Sequence, residues 1–191
     1  MSLKIKKTPR APLSTINVSF IRHGQTEMNL KSIVQGHADS SLTPLGFEQA
    51  SNFGKTTKIK FSDALCSDLG RTRQTINSIL TNSSQNCDLL ENVVYTKHLR
   101  ERNYGEGVDG VWSVEKYLSE AEKSGLLPRE YEPPGKGIEK LGELEKRGLQ
   151  GGFHKMSYFG VKPVIWSHFW VENRDFMSFW VKTCHFRLFW V

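Results

Sequence analysis

Apolar and polar residues alternate over residues 16–21, Ile-Asn-Val-Ser-Phe-Ile, and this pattern predicts a β-strand that becomes fully buried at its end. Shorter apolar runs at 63–67 and 93–95 predict a second and a third strand. The first strand leads directly into residues 22–24, Arg-His-Gly. Ligands of open α/β sheets bind beyond the carboxyl ends of the strands, so this tripeptide is a candidate site.

Helical spacing of apolar residues separates these strands. Thr43 followed by Pro44 predicts an N-cap and a first helical residue. Further helices are predicted over 71–80, over 112–123 and from 138 to about 147. The glycine-rich stretch 99–110 predicts a functional loop. Alternation of strands and helices predicts a layered α/β domain.

Composition divides the chain into three parts. Residues 1–15 form a basic tail that we expect to be flexible, and residues 16–148 carry the predicted strands and helices. Residues 149–191 hold four of the five tryptophans and repeat Phe-Trp-Val three times at a spacing of ten. This divergent, aromatic-rich segment favours a low-complexity extension from a different exon or reading frame. The alternative is an apolar, partly buried terminal segment.

The charge pattern bears on the partners of the protein. Four basic residues of the tail, Lys4, Lys6, Lys7 and Arg10, supply four of the six net positive charges. Because most of the basic excess lies in a tail, we expect no nucleic acid as partner. The modestly cationic remainder of the chain suits a small phosphorylated metabolite.

The cysteines and the hydropathy bear on location. Three widely spaced cysteines argue for a reducing compartment, and no Cys/His cluster suggests zinc, so we expect neither a metal nor another cofactor. No apolar run reaches the ~18 residues of a membrane span. We expect a cytoplasmic protein, and the sequence leaves its oligomeric state open.

Residues 22–26, Arg-His-Gly-Gln-Thr, hold the strongest candidate chemistry. An imidazole with a pKa of ~6.5 is partly neutral at pH 7 and can act as a nucleophile, which points to His23. Arg22 can bind phosphate oxygens in bidentate fashion. Gly24 lets the backbone approach a ligand closely, and Asn29 can donate a further hydrogen bond.

Four stretches resemble motifs of the histidine phosphatase superfamily, which includes phosphoglycerate mutase, and they follow one another along the chain as those motifs do. Residues 22–26 resemble its Arg-His-Gly-x-Thr signature. Residues 67–75 are similar to its Ser-(Asp/Pro)-Leu-x-Arg-(Thr/Ala)-x-x-Thr element. Residues 99–105 are similar to its Leu-x-Glu-x-x-x-Gly loop, and residues 42–50 to its Leu-Thr-x-x-Gly-x-x-Gln-Ala helix start.

The resemblance covers about residues 16–148, and three stretches within it, 33–36, 99–102 and 133–135, are most similar to the TIGAR fructose-2,6-bisphosphatase branch. It implies a layered phosphoglycerate mutase-like α/β domain with a mostly parallel central sheet and flanking helices. We expect this domain to be incomplete at the C-terminus.

The resemblance also implies a role for each matching residue. His23 would attack phosphorus, Arg22 and Arg71 would bind the phosphoryl oxygens with Asn29 assisting, and Glu101 would protonate the leaving oxygen. Phosphoryl transfer needs mainly charge neutralisation and alignment, which two arginines supply. From the residues alone, Arg71 could instead form a surface ion pair, and Glu101 could pair with the arginines beside it.

Two departures from the family pattern affect the predicted pocket. The second histidine that the resemblance implies for phosphate binding has one candidate, His168, but Phe169 stands where the family has glycine. The alternative is that this match is a coincidence within an aromatic segment. Lys136 and Gly137 replace an expected Gly-Glu pair, which predicts the loss of a supporting contact.

Three function classes follow from these patterns. The leading hypothesis is a metal-independent phosphatase of a small phosphorylated sugar, such as fructose 2,6-bisphosphate, with phosphoglycerate mutase as a related activity. The second class is a catalytically impaired protein that binds phosphorylated ligands or a protein partner, which the divergent C-terminal segment favours. The third, a nucleic-acid binder, is suggested only by the basic pI.

Overall fold

The computed structural model describes residues 15–151 and 181–187. These residues form an α/β domain, which confirms the predicted fold class. Its strands are β1 (Thr15–Ile21), β2 (Leu65–Ser67), β3 (Val94–Thr96) and β4 (Val181–Arg187). Its helices are α1 (Glu27–Leu30), α2 (Pro44–Thr56), α3 (Gly70–Thr81), α4 (Val114–Lys123) and α5 (Leu141–Gly151), with 3₁₀ turns at Cys87–Asn92 and Lys97–Leu99.

The strands of the described residues form two pairs. β2 and β3 pair in parallel, with Leu65 opposite Val94. β1 and β4 pair antiparallel, with Ile21 opposite Val181. The sequence pattern does not predict β4, which lies within the divergent segment 149–191. Residues 152–180, with the candidate His168, lie outside the described residues.

Local capping sets the start of α2 as predicted. The Thr43 hydroxyl accepts a hydrogen bond from the Gly46 backbone N–H at 3.1 Å, and Pro44 occupies the first helical position. A side-chain acceptor at this position satisfies one of the backbone donors that a helix N-terminus leaves unpaired. The helix begins beside the end of β1 and so closes one side of the candidate site.

Two helices begin later than predicted. The hydroxyl of Ser113 accepts a hydrogen bond from the Lys116 N–H at 3.1 Å, so Ser113 caps α4 and the preceding tryptophan stays outside the helix. α5 begins at Leu141 rather than at Ile138. The Lys140 N–H donates to the Glu143 carboxylate at 3.0 Å, which places a side-chain acceptor across the first turn. Apolar spacing alone does not locate such caps.

The buried apolar residues form two clusters. The cluster between α2 and α3 consists of Ala50, Ile79, Leu80 and Leu89. The cluster beneath α4 consists of Val34, Val108, Tyr117, Ala121 and Tyr131. The first cluster anchors the helices that flank the end of β1, and the second anchors the loop that follows residue 103. Within the described residues, no helix is long and apolar enough to cross a bilayer.

Candidate active site

His23 lies directly after β1. Its Nδ1 is 2.7 Å from the backbone oxygen of Gly24. A carbonyl oxygen can only accept, so Nδ1 carries the proton and Nε2 keeps its lone pair. Burial, reinforced by the positive charges of Arg71 and Arg22, lowers the pKa of His23 to about 3. The ring is therefore a neutral base throughout the physiological pH range.

Gly24 brings the end of β1 against the start of α2. A Cβ atom on Gly24 would overlap the backbone carbonyl of Gly46, and a Cβ atom on Gly46 would overlap the carbonyl of Gln25. The Gly24 N–H donates to the Thr75 hydroxyl of α3 at 3.0 Å. Close backbone packing therefore requires glycine here. A contact between Gly24 and a ligand stays a prediction.

Asn29 takes part in the cap of α1. Its backbone N–H donates to the Thr26 hydroxyl at 3.1 Å, and its side-chain Oδ1 accepts from the Thr26 N–H at 3.1 Å. This reciprocal capping box fixes the half-buried Asn29 side chain close to the end of β1. Because the oxygen is engaged, the amide nitrogen is the group that can donate to a ligand.

Arg71, in the first turn of α3, is buried, so the alternative of a surface ion pair is wrong. Its Nη1 donates to the Ala38 carbonyl at 2.9 Å, and its Nη2 donates to the Gly36 carbonyl at 2.9 Å. Nη2 also forms an ion pair with Glu101 Oε2 at 3.0 Å. The Nε atom is buried and has no hydrogen-bond partner among the described residues. A fixed guanidinium with such a donor can donate a hydrogen bond to an anionic oxygen.

Asp39, which the sequence analysis missed, caps α3 from a distant loop. Leu69 occupies the N-cap position and has no side-chain acceptor. The Asp39 carboxylate instead accepts from the backbone N–H groups of Gly70 and Arg71, the latter at 3.2 Å. One carboxylate oxygen also lies 3.5 Å from Arg71 Nη1. Asp39 therefore fixes both the helix start and the guanidinium that extends from it.

Glu101 lies beside Arg71 with 16% of its side chain exposed. Burial raises the pKa of its carboxyl group, although the charges of Arg71 and Arg22 act in the opposite direction. The neighbouring arginines bond elsewhere: Arg100 forms two 2.6 Å contacts with the Asp68 carboxylate, and Arg102 donates to two backbone carbonyls. The alternative in which Glu101 pairs with its sequence neighbours is therefore wrong.

Arg22 completes the charged group at the end of β1. Burial lowers its pKa, Glu101 raises it and Arg71 lowers it again. Arg22 and Arg71 both act on the pKa of His23. Among the four predicted residues, the charges of Arg22 and Arg71 thus act on both His23 and Glu101. Such charges act strongly where water is excluded.

The loss of a supporting contact at Lys136 and Gly137 stays a prediction. A carboxylate two residues further on, Glu139, accepts from the Asn103 N–H at 3.2 Å. It also pairs with Arg147 of α5 at 2.5 Å.

His37, which received no role from the sequence, contacts the same loop. Its Nε2 lies 3.0 Å from the Glu101 backbone oxygen. Burial lowers the pKa of His37, so the ring is neutral at pH 7 and Nε2 is the protonated nitrogen. In the parts of the chain that the structure describes, no group of three or more His, Cys, Asp and Glu side chains is arranged to hold a metal ion.

The assembled groups have complementary chemical capacities. A neutral imidazole with a free lone pair can attack an electrophile. Two guanidinium groups can stabilise charge on its oxygens, and a carboxyl group with a raised pKa can deliver a proton.

Comparison with known proteins agrees with this chemistry. A family model described as the histidine phosphatase superfamily (branch 1) matches residues 18–152. A broad-specificity phosphatase of Saccharomyces cerevisiae is 45% identical over 109 residues, which cover 53% of this chain and 45% of that protein. The fructose-2,6-bisphosphatase TIGAR of Bos taurus is 36% identical over 133 residues, which cover 69% of this chain and 47% of the relative.

Solved structures show the same fold. The crystal structure of a phosphoglycerate mutase from Bacillus anthracis str. Sterne has a TM-score of 0.59 at 28% identity, covering 76% of this chain and 69% of that one. This similarity confirms the predicted phosphoglycerate mutase-like fold. The chain spans about half the length of the two curated relatives described above.

Proposed function

Because the chain belongs to the histidine phosphatase superfamily, we propose that it hydrolyses a phosphomonoester of a small phosphorylated sugar through a phosphohistidine at His23, without a metal ion. The phosphatases among its relatives, one of broad specificity and one a fructose-2,6-bisphosphatase, support this substrate class. Two free thiols, Cys66 and Cys87, fit the reducing compartment expected for a cytoplasmic protein.

One observation supports the proposal most directly: Arg71, whose charge acts on His23, has a buried donor without a partner among the described residues. The structure satisfies both Nη atoms of Arg71 with protein acceptors and leaves Nε without one among the described residues. A buried N–H without a partner costs about 1–3 kcal/mol. A phosphoryl oxygen bound at this position would remove that cost. It would also place phosphorus near His23, whose Nδ1–H is already engaged by Gly24.

In the proposed first step, the lone pair of His23 Nε2 forms a bond to phosphorus. The bond between phosphorus and the sugar oxygen breaks, and its electron pair goes to that oxygen. The carboxyl proton of Glu101 transfers to the leaving oxygen, so the product is a neutral alcohol. The raised pKa of Glu101 keeps the carboxyl group protonated at a higher pH than an exposed glutamate.

In the proposed second step, water attacks the phosphohistidine. The Glu101 carboxylate, left deprotonated by the first step, accepts a proton from the water as the new P–O bond forms. The P–N bond breaks, its electron pair returns to Nε2, and inorganic phosphate leaves. Arg22 and Arg71 bind the phosphoryl oxygens in both steps, with Asn29 assisting and His168 as a further candidate contact.

Phosphate release in the presence of EDTA tests the proposal. We expect hydrolysis of p-nitrophenyl phosphate and of fructose 2,6-bisphosphate that EDTA leaves unchanged and that the substitution His23→Ala abolishes. Lys31→Ala, at an exposed position outside the site, is the matched control. Phosphate-ester binding without turnover would instead support the impaired-enzyme hypothesis. Phosphoryl transfer to 3-phosphoglycerate in preference to water would support a mutase.

A further inference from the structure

Arg147 of α5 contacts the backbone on which Glu101 lies. We infer that Arg147, held by Glu139, is a positioning residue that sets the place of the Glu101 carboxyl group for proton transfer. The inference rests on the proposed function, because it concerns the proton donor of the same reaction. Three sets of contacts hold the turn that leads into and out of Glu101.

The first set of contacts comes from the guanidinium of Arg147. It donates to four backbone carbonyls in the turn that ends at Glu101. Their distances are 3.1 Å for Lys97, 2.9 Å for His98, 3.0 Å for Arg100 and 3.1 Å for Glu101. The Lys97 carbonyl also accepts from the Arg100 backbone N–H at 3.2 Å, and side-chain donors can satisfy carbonyls that a turn leaves without a backbone partner. The Arg147 side chain thus contacts the turn at four backbone positions.

The second set comes from Glu139, which holds the guanidinium in place. Its two carboxylate oxygens accept from Arg147 Nε at 2.5 Å and Nη2 at 2.8 Å. The same residue exchanges hydrogen bonds with the backbone of Asn103, at 3.2 Å and 2.9 Å. The pair therefore contacts the chain on both sides of Glu101. Such a bidentate pair, with 16% and 12% of its side chains exposed, fixes geometry strongly.

The third contact comes from His37, whose Nε2–H donates to the carbonyl of Glu101 from the opposite loop at 3.0 Å. The carbonyl therefore accepts from two directions, while the carboxylate faces Arg71. Loss of Arg147 would leave His37 and Arg71 as the direct contacts that fix the acid. Because a displacement of about 1 Å can cost ~10²-fold in rate, the acid would function poorly even though it is still present.

This role makes a selective prediction. Glu101 matters most when the leaving group is a poor one, because an alkoxide needs a proton to depart. p-Nitrophenolate is a good leaving group and departs without one. A change that only misplaces the acid should therefore slow hydrolysis of an alkyl phosphate and spare an aryl phosphate. A change that merely weakens the fold should slow both equally.

The test compares Arg147→Met and Arg147→Lys with the wild type on β-glycerophosphate and p-nitrophenyl phosphate. Lys146→Met, at an exposed neighbouring position of α5, is the matched control. We expect kcat/KM for β-glycerophosphate to fall about 10²-fold in Arg147→Met, and that for p-nitrophenyl phosphate to change by less than about 5-fold. We expect Arg147→Lys, which cannot form the fork of hydrogen bonds, to show the same selectivity in weaker form.

Circular dichroism shows which variants are folded, and only those are compared. If Arg147→Met does not fold, Arg147→Lys and Glu139→Gln are compared with the wild type instead. Equal losses on both substrates, or no loss on either, would overturn the inference while the proposed function stands. A wild type that hydrolyses neither substrate would overturn the proposed function, and the inference with it.

Discussion

The two halves of the site are built in different ways. The half that we propose binds the phosphoryl group, called the phosphoryl-binding half below, consists of His23 at the tip of β1 and Arg71 in the first turn of α3, so regular elements and their caps place both groups. The half that we propose supplies the proton consists of Glu101 in a turn after the 3₁₀ segment Lys97–Leu99, where Arg147 of α5 and His37 contact its backbone carbonyl. Backbone geometry therefore fixes His23, whereas a few long-range side-chain contacts fix Glu101.

The largest effect is expected in the first half. Arg71→Met removes a charge that stabilises the transferring phosphoryl group in the proposed mechanism, and an arginine in this role contributes about 10³–10⁵-fold to kcat. We expect that loss for p-nitrophenyl phosphate and for β-glycerophosphate alike, measured as kcat/KM. Arg71→Lys is the companion variant, because it keeps the charge but not the hydrogen bonds to Gly36, Ala38 and Glu101. A loss confined to the alkyl substrate would contradict the division into halves.

The second largest effect is expected at the acid itself. Glu101→Gln should lower kcat/KM for β-glycerophosphate by about 10²–10⁴-fold and affect p-nitrophenyl phosphate much less. Because the acid must be protonated and burial raises its pKa, wild-type kcat/KM for the alkyl substrate should fall as the pH rises through that raised pKa.

The pH profile of Glu101→Gln is the control for this assignment. An amide does not titrate, so the variant should lose the alkaline decline. The pKa of His23, about 3, lies far below this range, so the nucleophile stays neutral across it. If kcat/KM of the variant still falls as the pH rises, a group other than Glu101 causes the decline.

A smaller effect is expected on stability, at the contact between β1 and α2. Gly46→Ala would drive a Cβ atom into the Gln25 carbonyl, and such overpacking costs about 1–3 kcal/mol of unfolding free energy. Urea denaturation measures it. Gly142→Ala is the matched control, since Gly142 lies in α5 with open space around it. A helical glycine replaced by alanine there should stabilise the protein by about 0.5–1 kcal/mol.

The smallest effect is expected at the tertiary cap of α3. Asp39→Ala removes the acceptor for the Gly70 and Arg71 N–H groups, and loss of such a cap costs about 0.5–2 kcal/mol. We expect a lower urea midpoint. We also expect kcat/KM to fall by the same factor for p-nitrophenyl phosphate and β-glycerophosphate, because Arg71 belongs to the phosphoryl-binding half. Asp63→Ala, at an exposed position, is the control. Equal stability of the two variants would show that Asp39 is not a cap.

The fold was predictable where its cause is local. Thr43 and Pro44 mark the start of α2 because capping acts within one turn. The start of α4 was misplaced because Ser113, rather than the apolar spacing, decides it. β4 could not be predicted, because its pairing with β1, with Ile21 opposite Val181, joins residues far apart along the chain. Its place in the C-terminal segment was visible only in the structure.

The site was predictable where a motif carries it. His23, Arg71 and Glu101 each lie in a recognisable stretch, and the structure brings them together. Asp39 and Arg147 were missed because they act on backbone groups more than 30 residues away. A hint existed for the first of these, since Leu69 cannot cap the helix that follows it and the cap had to come from elsewhere. Arg147 has the spacing of an ordinary surface residue of a helix.

The central claim is that His23 carries the phosphoryl group between the two steps. Rapid acid-free quenching of a reaction with p-nitrophenyl phosphate, followed by proteolysis and mass spectrometry, tests it most directly. The account predicts an acid-labile phosphate on the peptide that contains His23, lost together with activity in His23→Ala. Steady turnover with that peptide unmodified, or turnover that survives His23→Ala, would contradict it.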